Sequence, residues 1–355
     1  MAKLFAAKGI KATIITTPIN APLISKAIGN SKTLTHNNEI HIQTIKFPSV
    51  EVDCLIVDLF HTWITDSTAK LGIPRIVFQG SSVFTLCSMD FVFLLPDLFI
   101  EHHLSEVGIN LIGFYDKMHE SWAKSYGIIV NSFYELEQVC ANYYMDVLKR
   151  KVWLIGPMFL CNRDGKEKGK KGNEVSGDED ELLLKWRDTK KENSVVYVCY
   201  GTMTNFPDSQ LREIAIGLEA SGHQFLWIVR RNKQEDDKEW FLEGFEKRMK
   251  GKGLIIKGWV LQVLILEHQA IGAFMMHCRW NLTLEAVIAG VPMVTTLVAV
   301  VKIRVLVGVK KWVRMVGDTI KWEAVEKAVT RIMAGEEAIE MRNKPWKKED
   351  HLTPS

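Results

Sequence analysis

The sequence predicts an α/β protein built from two doubly wound, Rossmann-like domains, and three observations carry that expectation. Short apolar, β-branched runs recur along both halves of the 355-residue chain. Helical segments lie between them, and a charged stretch near the middle separates the two series. Such an alternation implies parallel sheets covered on both faces, whose strands are apolar throughout rather than alternating.

In the first half, Leu4 to Lys8 reads as the end of a helix that Gly9 stops. Lys11 to Thr16 (KATIIT) is a β-branched strand followed by Pro18. His36 and His41 fall in a polar loop. Asp53 to Val57 (DCLIV) is a buried run closed by Asp58, and Thr65 to Leu71 is helical. Strands follow at Arg75 to Phe78, at Gly127 to Asn131 (GIIVN) and at Val152 to Pro157 (VWLIGP). Asn162 to Glu181 carries Gly, Lys, Asp and Glu with almost no apolar residue, the composition of a solvated linker.

The second half repeats the pattern. Strands are expected at Ser194 to Cys199, Gln224 to Val229, Leu254 to Lys257, Ala273 to Met276 and Pro292 to Thr295. Helices fall between them, among them Asp208 to Ala220, with Pro207 before it and Gly222 after it. Trp322 to Ala334 is a later helix, and the polar tail Lys344 to Ser355 is expected to be loosely held.

Composition narrows the function. A hydrophobic content of 47% with 25% charged residues is that of a soluble globular protein. A net charge of +3, with the basic residues dispersed, argues against nucleic acid or an acidic membrane surface as partner. The six cysteines show no CxxC spacing, so neither a metal site nor a disulfide framework is expected; buried reduced thiols in a cytoplasmic protein are the plain reading. Met1-Ala2-Lys3-Leu4 opens on a helix-like pattern rather than a signal peptide. Ala286 to Val301 is too short for a membrane span and contains Gly290 and Pro292. No strand is followed by GxGxxG, which disfavours a nicotinamide-dependent oxidoreductase.

The segment from Gly258 to Lys302 says most about function. It joins a buried strand, AFMMH, to a helix beginning near WNLTLEA through a short turn. A helix N-terminus presents unpaired N–H groups and partial positive charge, so it can receive a phosphate. Trp259, Gln262, His277, Trp280, Asn281 and Glu285 interrupt an otherwise apolar segment. That pattern suits a ligand with a flat base, a ribose, a diphosphate and a sugar. Singly, Trp259 also reads as a core tryptophan, His277 as a structural histidine, and Asp58 as a turn or capping aspartate.

The same segment resembles the signature box of the plant secondary-product UDP-glycosyltransferases (glycosyltransferase family 1). That box opens W-A-P-Q, centres on H-C-G-W-N-S and closes with an acidic residue followed by Gln. Here it reads Trp259-Val260-Leu261-Gln262, then His277-Cys278-Arg279-Trp280-Asn281-Leu282, then Val301-Lys302. The resemblance implies the glycosyltransferase B fold, two domains facing each other across a cleft. It places an acceptor-binding domain at 1–157, a linker at 158–182, a donor-binding domain at 183–335 and a tail at 336–355.

It also implies roles. Trp259 would stack on uracil, with Val260 beside it, and Gln262 and Glu285 would hydrogen-bond the ribose. His277 and Asn281 would bind the diphosphate, and Gly201-Thr202 would approach it from the other side; Trp280 belongs to the same box. Three departures are expected to weaken the site. Arg279 stands where glycine is usual, at a cost of about 1–2 kcal/mol if the position needs positive φ. Leu282 replaces a serine hydroxyl that contributes about 1.5–3 kcal/mol against a charge. Val301-Lys302 replaces the pair that reads the sugar.

At the catalytic end, family members use a histidine base oriented by an aspartate and transfer the sugar with inversion. Asp58 matches the aspartate, while the histidine and the first strand of the sheet have no counterpart in this sequence. The first domain is expected to be incomplete, with a join near Val50 to Asp53 and open backbone edges. The implied function is transfer of a sugar, glucose first, from a UDP-sugar to a hydroxyl of a flavonoid, terpenoid or coumarin. The protein would be a cytoplasmic monomer with no cofactor beyond the UDP-sugar co-substrate. The alternative is a catalytically impaired pseudoenzyme or truncated gene product that retains weak UDP binding.

Overall fold

Strand order places the turns that follow Val195–Cys199 and Ile271–Met276 side by side. A computed structural model describes residues 2, 6, 10–16, 21–29, 40–44, 52–94, 109–161, 183, 185–201, 206–229, 244–258, 260, 262–297, 312–316 and 320–343. Backbone contacts divide the chain into two units, Met1–Lys168 and Gly169–Ser355. The linker expected at 162–181 and the tail at 344–355 lie outside the described residues.

In the first unit β1 (Ala12–Thr16) pairs in parallel with β2 (Ile40–Thr44). A separate sheet runs β3 (Leu55–Asp58), β4 (Arg75–Gln79), β5 (Gly127–Val130) and β6 (Val152–Leu154) in that order, all parallel. One edge of β1 and one of β3 therefore carry no strand partner among the described residues. His41 is not in a loop, as the sequence suggested, but inside β2, where IHIQT alternates apolar and polar residues. Helices α1 (Ala21–Gly29), α2 (Ile64–Lys70), α3 (Val83–Leu94), α4 (Ile109–Ala123) and α5 (Tyr134–Asn142) lie between these strands in the chain.

Val77, Leu86, Met118, Ile128 and Tyr144 form part of this unit's core. Two buried acids stiffen it. Glu137 accepts from the Val83 N–H at 3.0 Å and the Phe84 N–H at 2.8 Å, placing negative charge at the start of α3. Asp90, also buried, is held by His119 Nε2 at 2.8 Å and Arg150 Nη1 at 3.2 Å. Cys54, Cys87, Cys140, Cys199 and Cys278 are unbridged.

The second unit holds one six-stranded parallel sheet. Its strands are β7 (Val195–Cys199), β8 (Gln224–Val229), β9 (Gly253–Lys257), β10 (Ile271–Met276), β11 (Met293–Leu297) and β12 (Trp312–Val316). The spatial order is β12-β11-β10-β7-β8-β9. This is a doubly wound order that reverses between β7 and β10, the place where ligands bind in such sheets. The strands of this sheet match the sequence reading to within two residues, except β12, which that reading did not include.

Helices α6 (Asp208–Ala220), α7 (Phe245–Arg248), α8 (Gln262–Leu266), α9 (Trp280–Ala289), α10 (Trp322–Met333) and α11 (Glu336–Asn343) belong to the same unit. The run at 286–301 splits at Gly290 into the end of α9 and strand β11. No described helix is long and apolar enough to cross a membrane. Residues 336–343, assigned to the tail by sequence, form a helix that buries Ala338 and Met341.

Helices α6 and α10 pack closely because Gly217 has no side chain. A Cβ there would lie 2.4 Å from Val325 Cβ and 2.6 Å from the Trp322 carbonyl oxygen. Gln210 ties α6 to the segment ahead of α10, donating to the Ile320 carbonyl at 2.8 Å and accepting from its N–H at 2.9 Å. Gly217→Ala gains about 1 kcal/mol in helix propensity, but overpacking against backbone costs about 1–3 kcal/mol. The variant is expected to be the less stable one in denaturant unfolding. Equal or greater stability would show that the two helices separate freely.

Candidate functional site

Two turns leave the sheet at the reversal point, one after β7 and one after β10. Gly201 follows β7 and has φ +71°, a conformation glycine adopts without strain. A Cβ on it would meet His277 Cε1 at 3.2 Å and Leu282 Cδ1 at 3.7 Å. The loop after β7 and the turn after β10 thus touch, and they bring Gly201, His277 and Leu282 together.

His277 emerges from a strand buried at every residue. Neither of its ring nitrogens has solvent contact or a hydrogen-bond partner among the described residues. Burial, with the Arg279 charge as the smaller cause, pushes its imidazole down to about 4. At neutral pH it is an uncharged ring with one N–H and one lone pair to offer a ligand. Unsatisfied buried nitrogens are uncommon, and here they stand where ligands bind in this class of sheet.

The turn itself corrects one expectation. Arg279 sits at φ −67°, ψ 140°, the ordinary backbone of a helix N-cap, so arginine brings no backbone strain there. The left-handed residue is its neighbour, Cys278, at φ 60°. Any backbone strain in this turn, of order 1–3 kcal/mol, belongs to Cys278. Helix α9 starts at Trp280 without a side-chain cap. Thr283 folds back instead, its N–H and Oγ1 both donating to the Arg279 carbonyl at 2.9 and 3.1 Å. Asn281 is exposed on the first turn of α9, Trp280 is half-buried, and Leu282 is buried beside the Gly201 loop.

A second cluster lies alongside. Gln262 opens α8, and its Nε2 donates to Glu285 Oε2 at 2.5 Å, while Tyr197 Oη donates to Gln262 Oε1 at 3.5 Å. Glu285 and Tyr197 are buried, and Val260, just before α8, is buried too. The sequence reading missed Tyr197. Its only signal was a hydroxyl in an otherwise apolar strand, which must find a partner when buried. A carboxylate and a carboxamide held this way can accept from neighbouring hydroxyls. Thr202, Trp259, Leu261, Val301 and Lys302 lie outside the described residues.

Asp58 ends β3 in the first unit and is exposed. Its Oδ1 accepts from the Phe60 N–H at 3.0 Å and its backbone carbonyl from the His61 N–H at 3.2 Å, so it does shape a turn. His61 is exposed and lies edge-on to Trp63, with ring centres 6.2 Å apart. Among the described residues, no three of His, Cys, Asp and Glu gather in a way that could hold a metal ion.

The family described as UDP-glucoronosyl and UDP-glucosyl transferase matches residues 113–336. The chain belongs to this family. It is 42% identical to scopoletin glucosyltransferase of Nicotiana tabacum, over 97% of this chain and 88% of that protein. It is 41% identical to UDP-glucose flavonoid 3-O-glucosyltransferase 7 of Fragaria ananassa, over 97% and 86%. The first alignment runs over 422 positions against a chain of 355, so that relative carries internal segments this chain lacks. The crystal structure of Glycyrrhiza uralensis UGT73P12 complexed with glycyrrhetinic acid 3-O-monoglucuronide is similar at TM-score 0.76 and 31% identity. It covers 96% of this chain and 85% of that one. Both units are parallel α/β, as the glycosyltransferase B fold requires.

The buried, neutral His277 makes stability depend on pH. Its folded value of about 4 lies below the ordinary 6.5, so the unfolded chain takes up the proton first as pH falls. The folded state therefore loses stability as pH falls from about 6.5 to about 4. His277→Gln is expected to flatten that decline, measured by denaturant unfolding at a series of pH values. An unchanged slope would show that His277 is solvated.

Proposed function

We propose that this chain is a UDP-sugar-dependent transferase that moves glucose to a hydroxyl of a small plant metabolite such as a coumarin or a flavonoid. One observation carries the reading: in a member of this family, Gly201, His277 and the uncapped start of α9 meet where the sheet order reverses. The names of the two relatives, a scopoletin and a flavonoid glucosyltransferase, support the acceptor class.

In this reading His277, Asn281 and the first amides of α9 take the diphosphate, with the Gly201-Thr202 loop opposite. Glu285 and Gln262 take the ribose, Trp259 the uracil face, and Val260 and Trp280 complete the wall. Val301 and Lys302 lie towards the sugar. The UDP-sugar is a co-substrate and no other cofactor takes part; the protein acts as a cytoplasmic monomer. Asp58 is the acid at the acceptor end.

A second reading, nucleotide binding with impaired turnover, is favoured by the state of Asp58. Its carboxylate already accepts from the Phe60 amide at 3.0 Å, and no histidine in this sequence matches the family's base.

Binding and transfer are therefore to be measured apart. UDP is expected to perturb tryptophan fluorescence more than ADP does. Glu285→Ala should weaken UDP about tenfold, the scale of one hydrogen bond to a charged group. Glucoside formation from UDP-glucose and phenolic acceptors, followed by mass spectrometry, should fall by about 10²–10⁴ in Asp58→Ala, with UDP affinity unchanged. Equal responses to UDP and ADP would remove the donor-site reading. UDP binding with no glucoside from any phenol would select the second reading.

A further inference from the structure

Arg279 departs from the family pattern and lies at the mouth of the candidate site. Arg279 is the N-cap of α9, with extended backbone and an exposed side chain. Among the described residues no carboxylate pairs with it. Its charge nonetheless reaches His277, whose protonation it opposes. Three features thus share one turn: a helix start without a side-chain cap, His277 ring nitrogens with no partner among the described residues, and the exposed Arg279. The positive end of a helix and a guanidinium each complement an anion, and a neutral imidazole can donate to one.

We infer that Arg279 is a diphosphate ligand of the bound nucleotide and makes this turn selective for UDP over the uncharged nucleoside. The inference rests on the donor-site reading and deepens it. A long cation where the turn passes close to the ligand was expected to weaken the site, with backbone strain added if φ were positive; the observed φ removes the strain. The exposed side chain is free to swing onto phosphate oxygens, and a planar guanidinium can meet two of them at once. Neutral His277 is compatible with this arrangement, because a second full cation beside Arg279 would repel it.

The test is calorimetric titration of the full chain with UDP and with uridine, at low and at high salt. The variants are Arg279→Ala, Arg279→Lys and Arg279→Glu. The side chain is exposed, so all three should melt like the parent, and this is checked first. UDP affinity is expected to fall on the order of tenfold in Arg279→Ala, further in Arg279→Glu and less in Arg279→Lys. Uridine affinity should not change. Salt should erode UDP binding more steeply in the parent than in Arg279→Ala, because one fewer cation is being screened. UDP binding in Arg279→Ala as tight as in the parent, or tighter, would overturn the proposal, and so would an equal loss for UDP and uridine. A parent that binds neither ligand would instead bring down the donor-site reading itself. That failure is recognised without any variant.

Discussion

Strand β10 is hydrogen-bonded on both sides, to β7 and to β11, and every residue in it is buried. A strand so placed must be apolar along its whole length, since no polar side chain there could reach water. The constraint lapses only where the strand ends. His277 is the first side chain past that end, and it is half-sunk in the core it has just left, with both nitrogens shut off from solvent. Its depressed basicity, its contact with Gly201 and its position at the reversal of the sheet all follow from the place where β10 stops. Had the sheet order not reversed beside it, the helices on the two faces would have closed over the same spot.

Beyond β10 the chain must turn sharply enough to begin α9 within three residues. The left-handed conformation at Cys278 provides the bend and leaves Arg279 in an ordinary N-cap geometry. The arrangement separates two demands that would otherwise fall on one residue. Cys278 takes the strained backbone, and Arg279 is free to present a long side chain. The middle of α9 is held from beside it. Glu285 is bonded to Gln262 at the head of α8, and Gln262 in turn to Tyr197 in β7. The head of α8, the middle of α9 and one central strand are thereby linked by polar groups that the core would not otherwise tolerate.

What could be read from the sequence follows the same physics. The strands VVYVC, QFLWIV and IGAFMM are apolar without interruption, so burial on both faces was legible in them. IHIQT was not, because a histidine and a glutamine on its alternate positions look like loop composition over so short a span. WVRMV hides for the same reason, with an arginine at its centre. The change from AFMMH to WNLTLEA marked the strand-to-helix turn where the structure has it. The left-handed residue lay one position earlier than the family pattern suggested, since a residue pattern records which side chains are tolerated and not which φ each adopts. Tyr197 was invisible as a polar residue because a buried tyrosine and a buried phenylalanine satisfy the same apolar pattern. Only the partner of the hydroxyl distinguishes them.

The electrostatics of the turn connect these points. A protonated histidine and an arginine two residues apart, at a helix end that already carries partial positive charge, would repel each other in a partly dry environment. Burial resolves the conflict by keeping His277 neutral, which leaves Arg279 as the full positive charge of the turn. An incoming anion changes that balance. On the proposed reading, a phosphate at the turn would offset the repulsion between Arg279 and a protonated His277. A turn with glycine in place of Arg279 would depend on the helix amides and the imidazole alone. This chain carries its own charge at the mouth of α9, where an exposed guanidinium would attract an anion from a distance before it met the half-buried ring.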